Sequence, residues 1–133
     1  MLKPAIATIL LATALPAFAQ STGDPANGET LFRKCAACHQ VGEEATNRVG
    51  PVLTNVVERA AGTYVDYRYG SSMTAAGEAG LIWTPDNIFA YLENPTNFLK
   101  AYLDDSKARG KMPFRLTDEQ ERLDIVAYLS QLE

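Results

Sequence analysis

The chain has 133 residues, 47% of them apolar and 21% charged, with a formal net charge of −4. That length suits a single domain, and the apolar share is ordinary for a globular protein. The acidic balance argues against nucleic-acid binding.

The amino terminus, MLKPAIATILLATALPAFAQ, sets Lys3 ahead of an apolar run from Ala5 to Leu15 and ends that region in Ala17-Phe18-Ala19. This is the layout of a secretory signal with an A-x-A cleavage site, so residues 1–19 are expected to be removed after Ala19. The run has 11 residues, too few to cross a bilayer that needs ~20. Pro16 would also break a core helix there. Residues 20–133 are then one domain, delivered to a disulfide-permissive compartment, most simply a bacterial periplasm. Removing Lys3 takes the charge from −4 to −5. No later stretch is long and apolar enough for a membrane span, so the domain is not expected to be membrane-embedded.

Asp24-Pro25 reads as an N-cap followed by proline at the first helical position. The helix should continue through Gly28, Leu31 and Phe32 to the cysteines at 35 and 38. From Gln40 to Gly80 there is little periodicity but many turn formers, which predicts a long irregular segment of the kind a bound cofactor would justify. Thr84-Pro85 opens a second helix, PDNIFAYLE, closed by Asn94-Pro95. Residues 96–106 predict a further short helix through Phe98, Leu99, Tyr102 and Leu103. Thr117-Asp118-Glu119-Gln120 reads as a capping box with Thr117 as the cap, before a last helix bearing Ile125, Tyr128, Leu129 and Leu132. The predicted class is all-α. So little helix makes a thin core, and small domains of that kind lean on a covalent or metal-based staple.

Every cysteine and the only histidine fall in Cys35-Ala36-Ala37-Cys38-His39. Cys-x-x-Cys-His is the attachment signature of c-type haem. Two thiols one turn apart can each add to a vinyl group on one edge of a porphyrin, and the next residue offers an imidazole to the iron. A thioredoxin-like pair would want a βαβ context, a structural zinc would want a fourth ligand, and a plain disulfide would leave His39 idle. The sixth iron ligand decides function, and Met/His ligation raises the potential of an electron carrier. Beyond the signal only Met73 and Met112 remain. Met112 lies between Gly110 and Pro113 and is the favoured ligand. Met73, in GSSMTAAG, reads as a residue of a polar loop and is the fallback.

Taken in order, CAACH, Gly50-Pro51, YLENP at 91–95, and KMPF followed by a helix with IVAYL resemble the class I c-type cytochromes, from about Asp24 to Leu132. The long stretch before KMPF is similar to that of the bacterial cytochrome c-two type. The resemblance implies the cytochrome c fold, with the first and last helices crossing, and a single covalent haem c. It implies thioether bonds to Cys35 and Cys38, with iron held by His39 and Met112. It further implies that the Pro51 carbonyl orients His39 and that Trp83 donates to a haem propionate. Arg59, Tyr67 and Tyr69 share that side, and Tyr91 stands near the methionine sulfur. Gly28 and Phe32 should meet Ile125 and Tyr128.

The function so implied is a monomeric one-electron carrier, not an enzyme, docking transiently with a quinol-oxidising cytochrome bc complex and a terminal oxidase or photosynthetic reaction centre. Residues 98–115 carry five cations against two anions, a candidate docking face for acidic partners. Two rivals stand beside this reading. One is a dedicated electron acceptor of a periplasmic dehydrogenase; the other is a haem enzyme or gas sensor with a labile sixth ligand.

Overall fold

A computed structural model describes residues 22–132; the expected signal segment lies outside the described residues. Five α-helices follow one another: α1 (Pro25–Leu31), α2 (Ser71–Glu78), α3 (Pro85–Glu93), α4 (Pro95–Leu103) and α5 (Glu119–Leu129). A 3-10 turn, Phe32–Lys34, joins α1 to the cysteine cluster. Among the described residues there is no strand, only an isolated antiparallel bridge between Ala60 and Ile82.

Local chemistry sets the helix ends. Asp24 caps α1 by accepting from the Ala26 and Asn27 amides at 2.9 and 3.3 Å, with Pro25 supplying the fixed φ of the first position. Thr84 caps α3 through the Asn87 amide at 3.2 Å. Asn94 ends α3 and, in extended conformation, caps α4 through the Asn97 amide at 3.1 Å. The α4 helix closes on Asp104, which takes the left-handed conformation (φ 49°) common at such ends. The cap of α5 is one residue later than the capping box predicts: Asp118 accepts from the Glu121 amide at 2.8 Å. A carboxylate there outcompetes the Thr117 hydroxyl as an acceptor, and Gln120 turns instead to Asp124 at 2.9 Å.

The helix α2 corrects the expectation of an irregular run from 40 to 80. Its sequence, SSMTAAGE, has no apolar face to announce it and no side-chain cap. Tertiary contact holds it. Ala76 is fully buried, and a Cβ on Gly77 would meet the Ala61 backbone. Met73 therefore sits on a helix and not in a polar loop.

The α1–α5 crossing is the tightest packing in the fold. A Cβ on Gly28 would lie 2.7 Å from the Asp124 carbonyl carbon and 2.8 Å from Tyr128 Cβ, so only glycine permits the approach. Phe32 packs its ring on Tyr128 at 5.5 Å between centroids. The Asp124 carboxylate, 3% exposed, accepts from the Asp24 amide (2.7 Å), Asn27 Nδ2 (2.6 Å) and Gln120. Burial alone would raise its pKa, but these hydrogen bonds to the charged form prevail and hold it below the ordinary carboxylate range. Arg122, also buried, donates to the Leu116 and Thr117 carbonyls and lies over the Phe89 ring at 4.4 Å. It ties α5 to the segment that precedes it.

Candidate cofactor-binding cavity

The helices do not close on one another at their centre. They and the long loops enclose a largely apolar cavity of about 200 Å³. Its walls include Cys35, Cys38 and His39 from the turn after α1, Gly50 and Pro51 from the first loop, and Arg59, Tyr67 and Tyr69 from the second. Trp83 and Tyr91 come from the start and middle of the α3 region, and Met112 from the segment before α5. Every cofactor-binding or iron-ligating candidate named from the sequence thus lines the same space. Met73 lines it too, from α2, as do Ile88, Ile125 and Leu129 from the expected helices and Val56, for which no sequence motif existed.

His39 is oriented by the backbone. Its Nδ1 donates to the Pro51 carbonyl at 2.7 Å, which leaves Nε2 without a protein partner. Burial lowers its pKa, with the Arg59 charge adding to that direction and the Pro51 hydrogen bond opposing it. A neutral imidazole with a free Nε2 is the form that ligates a metal. Gly50 is buried against the ring: a Cβ there would stand 2.6 Å from His39 Nδ1 and 2.7 Å from Nε2. The Gly50 amide donates to the Cys38 carbonyl at 2.8 Å, binding this loop to the cysteine turn.

The two cysteines are unbridged in the structure. Burial pushes the Cys35 thiol up to about 11, despite the opposing charge of Lys34. A catalytic redox pair needs the opposite, a depressed thiol pKa, so that alternative finds no support. Among the described residues no group of three or more His, Cys, Asp or Glu side chains is placed to hold a bare metal ion.

On the far walls, the Trp83 indole packs edge-on against Tyr91 at 4.8 Å. Neither the indole N–H nor the Tyr91 hydroxyl has a hydrogen-bond partner among the described residues. Burial raises the Tyr91 pKa well above the usual phenol range, so its hydroxyl stays protonated and available as a donor. Tyr69 accepts from the Tyr64 amide at 3.0 Å, which leaves its own proton to donate. Arg59 is braced by the Val52 carbonyl at 2.9 Å and stacks over Tyr64 at 4.7 Å.

At the rim, Tyr67 donates to the Val49 carbonyl at 2.6 Å, and Lys111 donates to the Arg68 carbonyl at 2.7 Å while covering the Tyr67 ring at 4.5 Å. Backbone ties fix the Met112 segment at both ends. The Gly110 amide meets Thr96 Oγ1 at 3.0 Å, and the Leu116 amide meets the Leu92 carbonyl at 2.8 Å.

These features suit a flat apolar group with polar edges: paired thiols and a free imidazole nitrogen on one side, a thioether on a pinned segment, and unpaired donors within. The fold and the cavity are those of a haem-binding electron carrier. The sequence matches the Cytochrome c family over residues 25–133. It is 56% identical to cytochrome c2 iso-2 of Rhodospirillum centenum, covering 82% of this chain and 95% of that protein. It is 41% identical to cytochrome c2 of Cereibacter sphaeroides over 96% and 93% of the two chains. The solved structure of cytochrome c2 from Rhodospirillum centenum superposes with a TM-score of 0.80 at 53% identity, over 83% of this chain and 98% of that one. The chain belongs to the cytochrome c family as a class I c-type cytochrome of the c2 type. As such it carries a covalently attached haem c and transfers electrons; it is not an enzyme. No helix among the described residues is long and apolar enough to cross a membrane.

Proposed function

We propose that the protein is a soluble, monomeric periplasmic electron shuttle, exported by residues 1–19 with cleavage after Ala19. Cys35 and Cys38 would hold a haem covalently through thioether bonds, His39 and Met112 would hold its iron, and electrons would pass between a cytochrome bc complex and an oxidase or reaction centre. What carries this reading is that both thiols, the free imidazole nitrogen and the Met112 thioether line one apolar cavity. The bound haem would supply a one-electron Fe(III)/Fe(II) couple whose potential Met/His ligation raises.

This chain's own residues do the rest. The Pro51 carbonyl fixes the ring plane of His39 and keeps its proton on Nδ1. The pinned ends of the Met112 segment hold the thioether in one place through both oxidation states, so little reorganises during transfer. Met112 is preferred to Met73 because it lies on a non-helical segment between Gly110 and Pro113 that is tied at both ends, whereas Met73 belongs to α2. Trp83, Tyr69 and Arg59 would hold the propionates, while Tyr91 offers its proton near the sulfur.

The cation-rich stretch 98–115 supports docking to acidic partners. Lys100, Lys107, Arg109 and Arg115 have no ion pair among the described residues. The charge of Lys34 on the other rim is already paired with Glu121 at 2.9 Å. Visible spectra of the purified protein in both oxidation states test the ligand set. Wild type should show an iron–methionine band and bind carbon monoxide slowly when reduced. Met112→Ala should lose the band and bind rapidly, whereas retention of the band in that variant would move the ligand to Met73.

A further inference from the structure

The interface between α1 and α5 makes two demands on neighbouring residues. At position 28 the Asp124 backbone comes so close that only glycine fits. At position 27 the buried Asp124 carboxylate takes a hydrogen bond from a side-chain amide, Asn27 Nδ2, at 2.6 Å; a carboxylate there would set acceptor against acceptor. A donor at 27 followed by an obligatory glycine at 28 is met here by the dipeptide Asn-Gly. Of the six asparagines in the chain, only Asn27 precedes glycine.

Asn-Gly is the pairing most open to deamidation, because glycine has no Cβ to hinder its amide nitrogen and moves freely. The Gly28 nitrogen attacks Asn27 Cγ, the Cγ–Nδ2 bond breaks and ammonia leaves. The five-membered imide then takes up one water and opens to an aspartyl or isoaspartyl residue. Ring closure requires residue 27 to leave the helical conformation. Within α1 it cannot: the Gly28 amide is committed to the Asp24 carbonyl at 2.9 Å, and Nδ2 to Asp124.

We propose that Asn27-Gly28 is a deamidation site gated by folding. The amide survives while α1 lies against α5 and is lost in chains that stay unfolded. The new carboxylate then faces the buried one of Asp124, two like charges side by side, and the contact between the helices is weakened. Deamidation thereby converts a delay in folding into a permanent loss.

The test holds the haem-loaded protein at mildly alkaline pH, half in native buffer and half in guanidinium, and maps peptides by mass. Asn27 should convert at least about tenfold faster in denaturant, as expected for a site opened only by unfolding, and faster than the other five asparagines. Equal rates in the two conditions would overturn the proposal. Holoprotein carrying Asn27→Asp should unfold at lower denaturant or fail to fold, and adding Asp124→Asn should recover part of the loss. A wild-type midpoint in the single variant, or no recovery in the double, would overturn it equally.

Discussion

Replacing Gly50 by alanine tests whether the first loop sets the position of the histidine. The added Cβ would sit 2.6 to 2.7 Å from the two ring nitrogens of His39, where ordinary contact begins at 3.4 Å. With the ring carbon Cε1 closer still, the imidazole or the loop must therefore shift by about an ångström or more. The loop is bound to the Cys38 carbonyl through its own amide and to the ring through Pro51, so neither moves alone. Overpacking of this kind costs about 1–3 kcal/mol, and weakening the His39–Pro51 hydrogen bond adds about 1 kcal/mol. A total near 3 kcal/mol is about 1 M in guanidinium midpoint at a slope of roughly 3 kcal/mol/M. The reduction potential should move too. If about 1.4 kcal/mol of the loss falls on only one oxidation state, the shift is about 59 mV for a one-electron couple. Equilibrium unfolding and redox titration of the holoprotein measure both. An unchanged midpoint together with an unchanged potential would refute the idea that this loop positions His39.

Asp124→Asn should destabilise the holoprotein by about 1–3 kcal/mol at neutral pH, because one accepting oxygen becomes an NH2 facing a donor and the charge that strengthened the others is lost. Since the native pKa of Asp124 is depressed, its contribution is present above the unfolded carboxylate pKa and lost as pH falls through the native value. The gap between wild type and variant should therefore narrow under acid, and a pH-independent gap in denaturant midpoint would contradict this. The haem-free Cys35→Ala/Cys38→Ala protein should lack a cooperative thermal transition, because binding to the native state contributes to stability; a sharp calorimetric peak would count against it. Reduction rates with an acidic partner should fall as salt is added, and a flat response would remove the cationic face at 98–115 from docking.

What the sequence disclosed and what it hid divide along a physical line. Thr84-Pro85 announced the start of α3 and Asn94-Pro95 its end because caps and prolines act within a few residues; that Asn94-Pro95 also opens α4 went unread, and that helix was expected at 96–106 from its apolar residues alone. The Cys35–Cys38–His39 cluster was legible for the same reason, Met112 was singled out by its neighbours Gly110 and Pro113, and Gly50-Pro51 followed from the resemblance. The helix α2 was not, since Ala76 and Gly77 owe their helical state to the Ala61 backbone, fifteen residues upstream. Nor could the Asp124 clamp be read: it joins residues about a hundred positions apart, and a lone aspartate in a polar helix gives no sign of burial. The shift from Thr117 to Asp118 as the α5 cap shows how two good acceptors side by side leave a boundary open.

The rim of the cavity sets an order of events in the making of the protein. Val49 is fastened to Tyr67, and Arg68 to Lys111, so the gate consists of links between chain segments far apart in sequence. Those links can form only when the whole polypeptide has come together, while the turn bearing both thiols is complete within the first forty residues. Tethering of the pigment can therefore precede the fastening of the rim.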